Sequence, residues 1–160
     1  MSGSLRLGLS SLERASVTSI SVASRVADEL CSFAAASTME VCGVLYGTVE
    51  ETRLLVRGMR PCMNQAALGY EFALDLDELF AARPPFQQRL VGIFHSHPES
   101  EPVPSEFDRS YLARTGLVWG IIGKAPSMQR MEARFFVYCH GIKELRTTLS
   151  PCNEEVPFSP

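Results

Sequence analysis

Two histidines separated by one residue are the first feature of this sequence that could do chemistry. His95 and His97 follow the apolar residues 90–94, whose composition favours a β-strand. Alternate residues of a strand point the same way, so both imidazoles could reach one metal ion from the same side. Pro98 cannot donate a hydrogen bond to a sheet and marks the end of the strand. We therefore expect both histidines at the exposed end of a strand.

A carboxylate that could complete a metal site follows at Asp108. Ser105 and Asp108 form the serine-x-x-acid pattern of a helix start, with Tyr111 and Leu112 at core spacing for that helix. In the first turn the helix dipole favours the ionised carboxylate that a metal requires. Each pattern alone is common without a metal, but together they offer three ligands and a fourth position for water. That is the pattern of a catalytic site.

The combined spacing resembles the JAMM (MPN+) family of zinc metalloproteases. His95-x-His97 is followed after seven residues by Ser105-x-x-Asp108, and an upstream glutamate, Glu40, precedes an apolar run. All five motif residues are present. The resemblance extends from about residue 17 to about residue 138, which is most of the chain.

The resemblance implies a role for each motif residue. One Zn²⁺ per chain would be held by His95, His97 and Asp108, where it would activate water and polarise a substrate carbonyl. Glu40 would act as general base and then as general acid, since only a residue outside the ligand set can do this. Ser105 would cap its helix and also place its hydroxyl near the developing oxyanion. Two histidines, one aspartate and a water could also bind other divalent ions.

The substrate class also follows from the resemblance. It implies hydrolysis of the amide bond between the C-terminal tail of ubiquitin, or a ubiquitin-like protein, and an amine. An extended tail could add a strand to a sheet edge between residues 70–74 and 99–104. A second reading is the removal of a C-terminal amino acid or extension from a ubiquitin-fold sulfur-carrier protein. A non-enzymatic alternative is an MPN scaffold without catalytic activity. The five intact motif residues argue against it.

One loop bears on the kind of family member. Eukaryotic deubiquitinating members carry a long insertion after the strand equivalent to residues 117–122, where this chain has only residues 123–130. The chain is therefore similar to compact prokaryotic members, and extensive recognition of a second ubiquitin is not expected.

Composition bounds the remaining possibilities. A length of 160 residues with 46% hydrophobic and 21% charged residues fits one globular domain. A net charge of -3 gives no reason to expect nucleic acid or an anionic membrane surface as partner, and no stretch is apolar enough to predict a membrane span. Five cysteines without a Cys-x-x-Cys pair predict free thiols in a reducing cytoplasm. The sequence indicates no oligomeric state.

The hydrophobic pattern predicts alternating strands and helices. Strands are expected at residues 17–22, 41–49, 52–59, 70–74, 90–94, 117–122, 134–139 and 142–149. Helices are expected at 24–37, after Asp75 and ending before Pro84, and at 105–114.

This order predicts an α/β (α+β) sandwich with a mixed β-sheet flanked by helices. The resemblance implies a JAMM/MPN domain of cytidine-deaminase-like type. We expect a loose N-terminus at residues 1–16, one JAMM/MPN+ domain at 17–150, an extended tail at 151–160, and a loop from residue 60 to residue 69.

Four further residues are interpreted without a functional role. We expect Trp119 in the core, His140 in a turn with Gly141, and Glu99 and Glu101 on a solvated loop.

Overall fold

The structure is a computed structural model that describes residues 8–62, 88–126 and 130–151. These residues form three helices and seven strands: α1 (Ser11–Ser16), β1 (Ser19–Ala23), α2 (Ser24–Ala35), β2 (Cys42–Glu50), β3 (Arg53–Cys62), β4 (Arg89–His97), α3 (Glu106–Leu112), β5 (Val118–Lys124), β6 (Met131–Tyr138) and β7 (Ile142–Ser150). The predicted strand at 70–74 and the helix predicted from Asp75 lie outside the described residues. Across the described ranges, no helix is long and apolar enough to span a membrane.

The seven strands form one mixed sheet that closes on itself. Their order is β1-β3-β2-β4-β5-β6-β7, and β1 also pairs with β7. The β1–β3, β1–β7 and β4–β5 pairs are parallel, and the other neighbours are antiparallel. The predicted mixed sheet with helices is confirmed. Because the sheet closes as a barrel, the predicted sandwich arrangement is not confirmed.

The main core lies between α2 and the sheet. Helix α2 buries Val26, Leu30 and Ala34, which recur at helical spacing. Phe94 of β4 is fully buried and meets Phe33 edge to face, with ring centroids 6.1 Å apart. This packing fixes β4 immediately before its two histidines.

The chain before β1 is more ordered than the sequence indicates. Residues 8–16 belong to the predicted loose terminus, yet Ser10 and Glu13 form a capping box that starts α1. The amide of Gly8 donates to the carbonyl of Leu90, and Glu13 pairs with Arg89 at 2.5 Å. These contacts hold α1 against β4.

Strand β3 is longer than predicted. It continues to Cys62, which lies opposite Cys42 in the antiparallel β2–β3 ladder. The sequence, with Pro61, indicated a loop from residue 60. β1 pairs only with residues 53–56 of β3, so among the described residues Pro61 has a sheet neighbour on the β2 side alone. A proline is tolerated where one side of a strand needs no hydrogen bond.

The Phe94 contact gives a prediction about stability. Phe94→Ala should lower the free energy of unfolding by about 3–5 kcal/mol, because the lost ring leaves a cavity in a closed core. Chemical denaturation would measure it. Leu149→Ala removes an exposed side chain on β7 and should change the free energy of unfolding by no more than about 0.5 kcal/mol. Equal effects of the two changes would contradict the assignment of Phe94 to the core.

Candidate metal centre

The two histidines of the motif lie inside the protein and not at an exposed strand end. β4 runs through His97, and the exposed fractions of His95 and His97 are only 1% and 9%. Asp108 contacts both rings, and the carbonyl of Glu101 contacts His97. The sequence did not indicate this burial because the residues that cover the rings come from a loop and a helix later in the chain.

The three predicted ligands converge on one point. His95 Nε2 and His97 Nε2 are 3.2 Å apart. Asp108 Oδ1 lies 3.0 Å from His95 Nε2, and Asp108 Oδ2 lies 3.1 Å from His97 Nε2. Among the residues described, these three form a group whose ligand atoms could hold a metal ion.

Helix α3 begins in a way that holds Asp108 in this position. Ser105 is the N-cap residue: its hydroxyl accepts a hydrogen bond from Asp108 N at 3.1 Å. The amide of Ser105 donates to Asp108 Oδ2 at 2.9 Å. The predicted cap is therefore confirmed. Of the two side chains predicted to follow it into the core, Leu112 is buried, whereas Tyr111 is 45% exposed. Tyr111 instead packs against Phe107 at the surface of the helix, with ring centroids 4.6 Å apart and the ring planes tilted by 39°.

The donor atoms fit a divalent metal with nitrogen and oxygen ligands. Zinc bonds of about 2.0–2.1 Å in a tetrahedron place neighbouring ligand atoms roughly 3.3 Å apart. The spacings of His95, His97 and Asp108 given above are close to that value. Two imidazoles and one carboxylate are also a common donor set of catalytic zinc sites, which keep one position open.

Burial and charge set the protonation of these groups. Burial lowers the pKa of His95, which favours the neutral imidazole. Burial also opposes ionisation of Asp108, but hydrogen bonds from the two histidines lower the pKa of this carboxyl overall. At His97 burial favours the neutral form, yet the hydrogen bond and charge of Asp108 raise the pKa. A proton on His97 would therefore compete with a metal ion more strongly than one on His95.

Glu40 lies beside this group of ligands. Cys42 pairs with His95 in the β2–β4 ladder, and Ser96 N donates to Val41 O at 2.9 Å. Glu40 precedes Val41 and its charge contributes to the raised pKa of His97. The structure thus brings Glu40 near the three ligands, while its part in catalysis stays a prediction.

Ser105 differs from the three predicted ligands in being exposed. Its hydroxyl already accepts the Asp108 amide, and a hydroxyl can still donate one hydrogen bond. The predicted contact with an oxyanion is compatible with the cap and stays a prediction.

Sequence reasoning missed a backbone group that orients His97. The carbonyl of Glu101 lies 3.2 Å from His97 Nδ1, so it can fix the tautomer that presents Nε2 to a metal. The loop is held by Lys124, whose amide donates to Ser100 O at 2.8 Å and whose Nζ pairs with Glu99 at 2.9 Å. A pattern of side chains does not reveal which backbone carbonyl will face a histidine, and Glu101 itself is exposed as expected.

Three further predictions from the sequence are confirmed among the described residues. Trp119 is buried as predicted, and its ring meets His95 edge to face at 5.6 Å. His140 and Gly141 form the predicted turn with positive φ angles. The cysteines of the described residues, Cys31, Cys42, Cys62 and Cys139, are free thiols.

Comparison with known proteins gives the family. Residues 23–137 match the family described as prokaryotic homologs of the JAB domain. The chain belongs to this family. The resemblance to the JAMM family is thereby confirmed.

Two curated relatives named desampylase are similar to part of the chain. The protein from Pyrococcus furiosus is 37% identical over 92 residues, which are 55% of this chain and 62% of the relative. The protein from Haloferax volcanii is 38% identical over 86 residues, which are 50% of this chain and 59% of the relative. The chain thus spans about three fifths of the length of these relatives.

Two solved structures share the fold. A solution structure of a protein from Desulfitobacterium hafniense has a TM-score of 0.69 and 23% identity, covering 82% of this chain and 93% of that one. A solution structure of a protein from Salinibacter ruber has a TM-score of 0.59 and 20% identity, covering 88% of this chain and 96% of that one. At these identities the likeness concerns the fold alone.

The ligand geometry predicts the effect of removing one charge. Asp108→Asn should weaken zinc affinity by more than about 100-fold, because an amide supplies a neutral and weaker ligand beside two buried rings. Zinc titration against a competing chelator would measure the affinity. The exposed Asp28→Asn on α2 is the matched control and should bind zinc as the wild type does. Unchanged affinity in the Asp108 variant would exclude this residue as a ligand.

The loop that orients His97 gives a second prediction. A Cβ on Gly123 would lie 2.6 Å from Pro102 N and 2.7 Å from the carbonyl carbon of Glu101, so the loop would have to move. Gly123→Ala should therefore weaken zinc affinity by about 10–100-fold, the usual effect of losing a partner behind a metal ligand.

A matched control for this glycine lies on β3. A Cβ on Gly58 would approach no atom closer than 3.9 Å, so Gly58→Ala should leave zinc affinity unchanged. If Gly123→Ala also bound zinc normally, the carbonyl of Glu101 would not be needed to orient His97.

Proposed function

We propose that this protein is a zinc-dependent isopeptidase that cleaves the amide bond at the C-terminus of ubiquitin or a ubiquitin-like protein. The observation that carries the proposal is the convergence of His95, His97 and Asp108 on one point, with the charge of Glu40 beside them. Membership of the JAB-domain family and the name desampylase given to two relatives support a hydrolase that acts on a ubiquitin-like modifier.

The metal would supply one part of the chemistry. A Zn²⁺ held by His95, His97 and Asp108 would polarise the substrate carbonyl and would lower the pKa of its bound water to near neutrality. Such binding needs Asp108 ionised and both imidazoles neutral, and because Asp108 raises the pKa of His97, metal binding must displace a proton from that ring more often than from His95.

The chain's other groups would move protons and bind charge. Glu40 would accept the proton of the attacking water and deliver it to the leaving amine, since its carboxylate is not one of the ligands. Ser105 would donate a hydrogen bond to the developing oxyanion. The two hydrogen bonds between Ser105 and Asp108 would fix the serine hydroxyl relative to the Asp108 carboxylate, because the two residues belong to the same helix turn.

The substrate separates the proposed function from its alternatives. The name of the two relatives supports conjugates of a ubiquitin-like modifier over a sulfur-carrier protein with a C-terminal extension. The intact ligand set argues against a non-catalytic scaffold. The cytidine-deaminase-like type of the fold, the cytoplasmic location and the groove between residues 70–74 and 99–104 stay predictions.

The proposal can be tested with two purified substrates. One is a ubiquitin-like protein joined to a lysine side chain by an isopeptide bond, and the other is a sulfur-carrier protein with a C-terminal extension. Cleavage of the first is expected. Cleavage of the second alone would replace the proposed substrate with the sulfur carrier. Stoichiometric zinc without cleavage of either substrate would favour a scaffold or a partner-dependent enzyme.

The proposed role of Glu40 predicts a separation of metal binding from turnover. Glu40→Gln should keep one zinc per chain but lower kcat by about 100-fold or more, because the proton acceptor is lost while the ligands remain. Metal analysis and cleavage assays would measure the two properties. Glu29→Gln changes an exposed glutamate on α2 and should keep full activity. A rate near that of the wild type in the Glu40 variant would show that another group moves the proton.

A further inference from the structure

We propose that Ser96, the residue between the two histidines, is a positioning residue that fixes Glu40 against the metal centre. This inference rests on the proposed function, because it assigns Glu40 the proton transfer. Ser96 is 0% exposed and its neighbours on both sides are ligands. Because alternate residues of a strand point to opposite faces, the Ser96 side chain points away from the side on which His95 and His97 meet, and Ser96 is not a metal ligand.

Ser96 makes two hydrogen bonds to the same residue of the neighbouring chain segment. Ser96 N donates to Val41 O at 2.9 Å, and Ser96 Oγ accepts from Val41 N, also at 2.9 Å. Both polar groups of the Val41 backbone are therefore held by one serine. Because Val41 directly follows Glu40, the hydrogen bond to Val41 N restrains the peptide bond between the two residues and so the backbone of Glu40.

The second of these bonds departs from a regular sheet. In an antiparallel ladder, two directly paired residues exchange two bonds between backbone N–H and C=O groups. Here the serine hydroxyl takes the place of the backbone carbonyl as acceptor for Val41 N. β2 begins at Cys42, which pairs with His95, so the hydroxyl replaces ladder pairing at the point where the strand starts. An alanine at position 96 could not supply this acceptor.

The metal ligands do not depend on the same hydroxyl. On its other side β4 pairs with β5, where His95 is opposite Ile121 and His97 is opposite Gly123. Asp108 is held by the cap of α3. Loss of the Ser96 hydroxyl should therefore loosen Val41 and Glu40 while the three ligands stay in place.

A double-mutant cycle separates this role from a general structural one. Ser96→Ala should lower kcat by about 10–100-fold, the effect expected when a catalytic group is misplaced by about an ångström. KM and the content of one zinc per chain should not change. In the Glu40→Gln background, Ser96→Ala should cause no further loss, because the residue that it positions no longer transfers a proton. Ser96→Thr keeps the hydroxyl and should restore most of the rate.

Two controls make the result specific. Ser21→Ala removes another buried strand serine, on β1, and should keep the wild-type rate. Amide hydrogen exchange at Val41, measured by NMR, should be at least about tenfold faster in Ser96→Ala than in the wild type. This exchange rate reports the restraint whether or not the enzyme cleaves the chosen substrates, so it distinguishes a wrong role for Ser96 from a wrong proposed function.

Three outcomes would overturn the inference. The first is unchanged exchange at Val41, which would show that the hydroxyl does not restrain this backbone. The second is an equal loss of kcat in the wild-type and Glu40→Gln backgrounds, which would show that Ser96 acts through another group. The third is loss of zinc in Ser96→Ala, which would show that the serine supports the metal ligands themselves.

Discussion

The carboxylate of Asp108, placed between two buried imidazoles, is the contact on which the rest of the site depends. Its oxygens lie 3.0 Å from His95 Nε2 and 3.1 Å from His97 Nε2. Burial of charged and polar groups is costly unless they are paired. Here the helix cap at Ser105 and the mutual hydrogen bonds offset that cost and keep Asp108 ionised. The donor atoms of this cluster lie close enough together to hold one divalent ion.

The fold supplies the two frames that this contact joins. One frame is the barrel, in which β4 is paired on both sides and anchored by Phe94. The other is α3 with the loop before it, which brings Asp108 and the Glu101 carbonyl to the histidines. Glu40 belongs to the first frame through Ser96 and Val41. Two of the predicted ligands, His95 and His97, lie on β4, and Glu40 is tied to the same strand, whereas Asp108 comes from α3.

Much of this arrangement could be predicted from the sequence because the decisive signals are local. The alternation of His95 and His97 requires only a strand, and the Ser105 cap requires only the first turn of a helix. The burial of the histidines, the closure of the sheet and the Glu101 carbonyl could not be predicted. They depend on contacts between distant segments or on backbone groups, which no side-chain pattern reports. The order of residues 8–16 was missed for the same reason, since Gly8 binds the distant backbone of Leu90.

The most direct test of the account is to locate the metal itself. Crystals of the protein purified with zinc would be measured at the zinc absorption edge, and an anomalous difference map would be calculated. One peak per chain is expected, about 2.0–2.2 Å from His95 Nε2, His97 Nε2 and one carboxylate oxygen of Asp108. A map without a peak there, or with zinc bound only by other residues, would contradict the assignment of this site as a zinc centre.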